Sequence, residues 1–124
     1  MGYDIHITRK PFYFDENGEE ISLDEWKTFV QQDSEMSLDN FAEVTVGNEQ
    51  ILRVESDGLA VWNVYSKHDQ NGNKAWFDWR NRAIHVKNPD HEILKKMWLI
   101  AQQLSAKVQG DEGEFYDANG NSIG

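Results

Sequence analysis

Apolar and polar residues alternate from Tyr3 to Thr8, a period of two that predicts a half-buried strand with Tyr3, Ile5 and Ile7 inward. A polar loop with Pro11 and Asp15-Glu16-Asn17-Gly18 follows. Ser22-Leu23-Asp24-Glu25 then reads as a capping box, with Ile21 and Trp26 at hydrophobic-staple positions. Leu23, Trp26 and Val30, with Phe29 beside them, share one face and predict a helix from Leu23 to Gln32. Strand patterns return at Phe41–Val46, Gln50–Glu55, Leu59–Tyr65, Ala75–Trp79 and Ala83–Lys87. Asn48 beside Gly47 marks a turn, Ser56-Asp57-Gly58 reads as a hairpin, and Arg80-Asn81-Arg82 turns the last pair.

A second helical period holds Ile93, Met97, Ile100 and Leu104, flanked by Leu94, Trp98 and Ala101. Asn88 is its expected N-cap with Pro89 at the first helical position, and Asp90 and Glu92 suit the dipole of the first turn. Short strands at Ala106–Gln109 and Glu114–Tyr116 complete the pattern, with a loose tail expected from about residue 118. The order predicts one α+β domain over 1–124: a mostly antiparallel sheet of about five to seven short strands, with two helices on one face.

Composition supports an ordered chain. Five Trp, six Phe and four Tyr in 124 residues give a bulky core, against a mean hydropathy of −0.74. No apolar run approaches the ~18 residues that span a bilayer, and the first residues lack the basic and apolar regions of a secretory signal. With no cysteine, disulfides and thiol catalysis are excluded, and the default expectation is a cytoplasmic protein.

Charge sharpens the picture because it is segregated. Residues 11–57 carry thirteen acids and two bases, residues 66–107 eight bases and four acids, and residues 108–124 four acids alone, within a net of −10. An acidic segment steers a basic partner at long range, or forms a solvated face. Nucleic acid is disfavoured, because phosphates need Lys and Arg to neutralise them.

The candidate chemistry is sparse. Asp-x-Asn-Gly recurs at Asp15–Gly18, Asp69–Gly72 and Asp117–Gly120, but no copy has the glycine and glutamate spacing of a calcium loop, so these read as turns. His6, His68, His85 and His91 form no His-x-x-x-His pair, so no metal or cofactor is expected. His6 shares a polar strand face with Asp4 and Thr8, which suits either a general base or plain solvation. No Gly-x-Ser-x-Gly and no phosphate-cradling glycine loop is present, while a carboxylate pair stays open among 22 acids. Trp76-Phe77-Asp78-Trp79-Arg80, with Trp62 and Tyr65, cannot bury every ring on one sheet face, so a ring sits opposite, as core or as an interface anchor.

Tyr3-Asp4-Ile5-His6-Ile7-Thr8-Arg9, Ile21 to Trp26, Val86-Lys87-Asn88-Pro89-Asp90 and Val108 to Glu114 resemble segments of a group of small acidic bacterial proteins. That group is similar in size, acidity and layout to immunity proteins of contact-dependent and type VI effector systems. The resemblance implies stoichiometric binding to a cognate toxin domain, and the segregated acid charge suits a basic one such as a nuclease, with carboxylates standing in for phosphates. The partner-facing residues are then expected to be Asp15, Glu16, Glu19, Glu20, Asp24, Asp111, Glu112 and Glu114, with Trp76 or Trp79, on either side of Asp78, as anchor. Two rivals stand beside it: a small enzyme using the Asp4/His6 face or a carboxylate pair, and a homodimer that buries its Trp residues.

Overall fold

The computed structural model describes residues 3–39, 41–46, 50–55, 58–68 and 74–123, with 41–46 and 50–55 described by their backbone. Strand β1 (Asp4–Thr8) leads to helix α1 (Leu23–Gln32), then to β2 (Met36–Leu38), β3 (Phe41–Val46), β4 (Gln50–Glu55) and β5 (Leu59–Trp62). A β6–β7 pair (Ala75–Arg80, Ala83–Lys87), helix α2 (His91–Gln103) and β8 (Lys107–Gly110) complete the order. The fold is α+β, with a six-stranded open antiparallel sheet in the order β2-β5-β6-β7-β1-β8 and a separate β3–β4 hairpin.

Helix α1 begins where its capping box predicts. The Ser22 hydroxyl accepts the Glu25 N–H while the Glu25 carboxylate accepts the Ser22 N–H, so two orphan amide donors of the first turn are satisfied. The staple residues Ile21 and Trp26 are fully buried, and the Trp26 indole donates to the Gly58 carbonyl at 2.7 Å. A Cβ at Gly58 would lie 2.5 Å from the Trp79 Cβ, so close packing requires glycine there.

The expected cap of α2 is corrected. Asp90, not Asn88, is the N-cap and accepts the Ile93 N–H; Pro89 precedes it. Asn88 lies in the left-handed region (φ 49°), and its side chain accepts the Tyr3 N–H at 2.8 Å, tying the start of β1 to the end of β7. The apolar stripe of α2 is buried as expected, but Lys96 is buried within it. Its ammonium bonds Asp33 at 2.8 Å and Glu35 at 3.1 Å and lies over the Trp62 ring.

Both helices pack on the inner sheet face, where Met36, Ala60, Trp62, Ala75, Phe77, Ile84, Val86, Ile5, Ile7 and Val108 join Trp26, Val30, Met97 and Ile100 in one core. Three strand expectations change. β2, too short to show a period, was unforeseen. The expected β4–β5 hairpin does not form: β4 pairs with β3, and β5 pairs with β2 and β6. The polar face of β1 is not solvated, since His6 and Thr8 are as buried as Ile5 and Ile7. The Gly47-Asn48 turn, Ser56-Asp57 and Asp69–Gly72 lie outside the described residues.

The β6–β7 turn closes on two residues, Asn81 and Arg82, both at positive φ (50° and 63°), the mark of a type I′ hairpin. Past β8, Phe115 bridges to Gln109 and Tyr116 to Ser122. In the Asp117–Gly120 turn, the Asp117 carboxylate accepts the Asn119 and Asn121 N–H groups and Gly120 adopts φ 78°, as turn chemistry predicts for this tetrad.

Candidate functional site

On the outer sheet face, Leu59, Asp78, His85, His6 and Gln109 form one row across five strands. The loop of residues 9–20 crosses this row and explains the burial of β1. Gln109, fully buried, is its main tether: the side-chain carbonyl accepts the Tyr13 N–H at 2.8 Å, and its amide donates to the Pro11 and Gly113 carbonyls. Lys10 is buried too, with its N–H on the Thr8 hydroxyl and its ammonium on the Asp15 carbonyl. Asp15 closes the turn by accepting the Phe12 N–H. Arg9 clamps the loop's far end through the Glu20 carbonyl and a two-pronged bond to Glu25.

Beneath the loop, Tyr13 stacks on His6 with centroids 3.6 Å apart and planes at 11°. His6 Nδ1 meets His85 Nδ1 at 2.6 Å, and His6 Nε2 meets the Asp111 carboxylate at 2.7 Å. His85 Nε2 lies 2.8 Å from the Arg80 carbonyl. A carbonyl only accepts, so His85 Nε2 carries a proton and its Nδ1 accepts one from His6 Nδ1. His6 Nε2 then donates to the carboxylate. The resulting chain runs from Arg80 through His85 and His6 to Asp111 with every ring nitrogen in use.

The surroundings support that assignment. Burial pushes His85 below its ordinary value and outweighs the Arg80 carbonyl bond, with neighbouring His6 and Arg80 lowering it further. Burial pushes Asp111 up, but the Asp4 N–H and His6 more than offset it and leave the carboxyl below the usual range.

An open cleft of about 690 Å³ lies between the loop and the β6–β7 turn, lined by Lys10, Tyr13, Asp15, Glu16, Glu20, Trp79, Arg82 and His85 among others. Phe14 lines this cleft and stacks on Phe12 at 5.6 Å, the two rings 64% and 46% exposed.

The structure sorts the expected partner-facing residues into two groups. Asp15, Glu16, Glu19 and Glu20 share the loop, and Asp24 follows on the first turn of α1. Glu20 is neutralised by Arg82 at 2.9 Å, whereas Glu16, Glu19 and Asp24 are exposed and make no ion pair with a described residue. Asp111 and Glu114 turn inward, Asp111 onto His6 and the Asp4 N–H, Glu114 onto the hydroxyls of Tyr3 and Tyr116; Glu112 is exposed. Of the aromatic segment, Phe77 and Trp79 face the core, and the Trp79 indole donates to the Ile21 carbonyl. Trp76 points to the opposite face, half-buried beside the Lys74 ammonium, and Asp78 on that face is held by Arg80.

Tyr13, His85 and Gln109 were not anticipated as partners, since their positions in the chain are 72 and 24 residues apart by number. One sequence signal was available: Phe12-Tyr13-Phe14 is an aromatic triplet in an otherwise polar loop. Among known proteins, no family model matches the chain, and neither a curated protein nor a solved structure matches it significantly. Among the described residues, no helix is long and apolar enough to cross a membrane.

Proposed function

We propose that this chain is a protein-binding inhibitor, an immunity protein that neutralises a cognate basic toxin domain by stoichiometric docking of its 12–20 loop. The carrying observation is the exposed Phe12–Phe14 pair on a loop tethered at both ends, which also carries the exposed carboxylates of Glu16 and Glu19 and leads to the exposed Asp24 on the first turn of α1. Aromatic anchors supply affinity by desolvation, and flanking acids steer a basic surface at long range. A loop ordered before binding loses little entropy on docking.

The test uses this protein as bait with neighbouring open reading frames expressed alongside. Recovery of one basic domain at a fixed ratio, whose lethality the chain suppresses, is the expected result. With that partner in hand, E16Q/E19Q/D24N slows association and flattens its salt dependence, while Phe14→Ala raises the dissociation rate by about tenfold or more. Unchanged kinetics in both variants would remove the loop from the interface.

The cleft favours a second reading, a small enzyme with His85 at its floor. Against it, both nitrogens of His85 and of His6 are already bonded, which leaves neither ring a lone pair or proton for a substrate. His85→Asn separates the two: neutralisation persists in the inhibitor and turnover is lost in the enzyme.

A further inference from the structure

We propose that the His6–His85 pair is a pH-sensitive latch that holds the 9–20 loop shut while His85 is neutral and releases it when His85 takes a second proton. The geometry admits one proton between the two Nδ1 atoms. At 2.6 Å, a proton on His85 Nδ1 would face the proton that His6 already directs at it, and two like charges would share a part-buried site. His6 cannot turn away freely, because Asp111 holds Nε2 and the Tyr13 ring lies flat against it. Any rotation of His6 therefore breaks the stack that seats the loop. Tyr13 is also where Gln109 grips the loop backbone, so the stack and the tether fail together.

The other groups around His85 set the balance. From β6, the Asp78 carboxylate favours the proton and the Arg80 guanidinium disfavours it; from the loop and turn, Lys10 and Arg82 face the cleft with Asp15, Glu16 and Glu20. From β1 and the turn after β8, His6 and Asp111 complete the shell. These mixed charges leave the short contact itself as the deciding term. The consequence for a partner rests on the reading of this loop as a docking surface: acidification would disorder Phe12, Phe14 and the acids beside them and loosen the complex.

Hydrogen exchange on the free protein tests the latch apart from any partner. The Tyr13 amide and its loop neighbours, corrected for intrinsic rates, are compared between about pH 7.5 and about pH 5. The expected result is a loss of protection of about tenfold or more in the wild type, with α1 and α2 unchanged. His85→Asn retains an acceptor toward His6 and cannot take the proton, so its loop stays protected at both pH values. Wild-type protection that does not change, or the same loss in H85N, overturns the latch. If H85N fails to fold, NMR titration of the wild-type rings decides: the loop's opening midpoint must coincide with that of His85, and a separation above about half a pH unit overturns the proposal. A latch that works in a protein with no basic partner would defeat the docking reading alone.

Discussion

Lys96 shows what a single charge does inside an apolar stripe. Taking an ammonium out of water costs several kcal/mol, and here Asp33, Glu35 and the face of Trp62 offset that cost. The partners are unequal. Asp33 is also the C-cap of α1 and accepts the Glu35 N–H at 2.9 Å, so it fixes the corner that leads into β2. Removing Asp33 leaves a buried cation half-satisfied, whereas removing the cation leaves two carboxylates near enough to the surface to be hydrated. Asp33→Ala should therefore cost on the order of 2–4 kcal/mol, and Lys96→Met under about 1 kcal/mol. Urea unfolding of both variants checks the order. A larger loss in K96M would mean that the ion pair, rather than relief of a buried charge, stabilises the corner.

At the scale of elements, the β6–β7 hairpin sets two local effects against each other. Arg82 sits at φ 63°, which costs a side-chain-bearing residue roughly 1–2 kcal/mol, and its return is an exposed ion pair with Glu20 worth roughly 0.2–1 kcal/mol. Arg82→Gly produces Asn-Gly, the favoured type I′ pair, and should raise stability by about 0.5–1 kcal/mol in urea unfolding. A loss would show that the Glu20 bridge holds the loop more strongly than an exposed pair normally does.

The same scale separates what the sequence disclosed from what it hid. Helix α1 was legible to the residue, because a capping box and staple are signals within five positions of one another. β2 was not, since Met36-Ser37-Leu38 is a strand only through β5, whose partner residues lie at 60–62. Asp57-Gly58 carried a hairpin signal that pairing overrode: β5 is held between β2 and β6 instead. In the site, the acids of the loop were legible as charge. The polar face of β1 misled, because alternation cannot distinguish a face open to water from one covered by a distant loop. His6 meets His85 across 79 positions and Asp111 across 105, separations that no local pattern encodes.

Across the whole molecule, titration couples these pieces to stability, and two effects oppose each other below neutrality. A net charge of −10 repels itself, and acidification toward the pI of about 4.7 relieves that repulsion. His85 acts in the other direction. Its folded value is lowered, so the unfolded ring binds the proton first, and stability falls as pH drops through about 6.5 toward the folded value. The carboxyls of Asp33, Glu35, Asp90, Asp111 and Glu114 are all held low, and Glu25 is pulled down to about 2, first by its Arg9 bond and then by the Ser22 N–H. Their stabilisation is present above the usual carboxyl range and is lost as pH falls through it. At the alkaline end, each of the four tyrosines bonds a carboxylate, and Tyr65 is pushed up to about 12, chiefly by Asp90. A raised phenol stabilises the fold below about pH 10 and ceases to do so as pH rises through the folded value. The urea midpoint should thus decline from about pH 7 to about pH 5, drop steeply below about pH 4, and decline again above about pH 10. In His85→Asn the first decline should vanish or reverse, because the loss tied to the lowered His85 is gone. An acid limb identical to the wild type's down to about pH 5 would show that the His85 imidazole does not set the stability of this fold near neutrality.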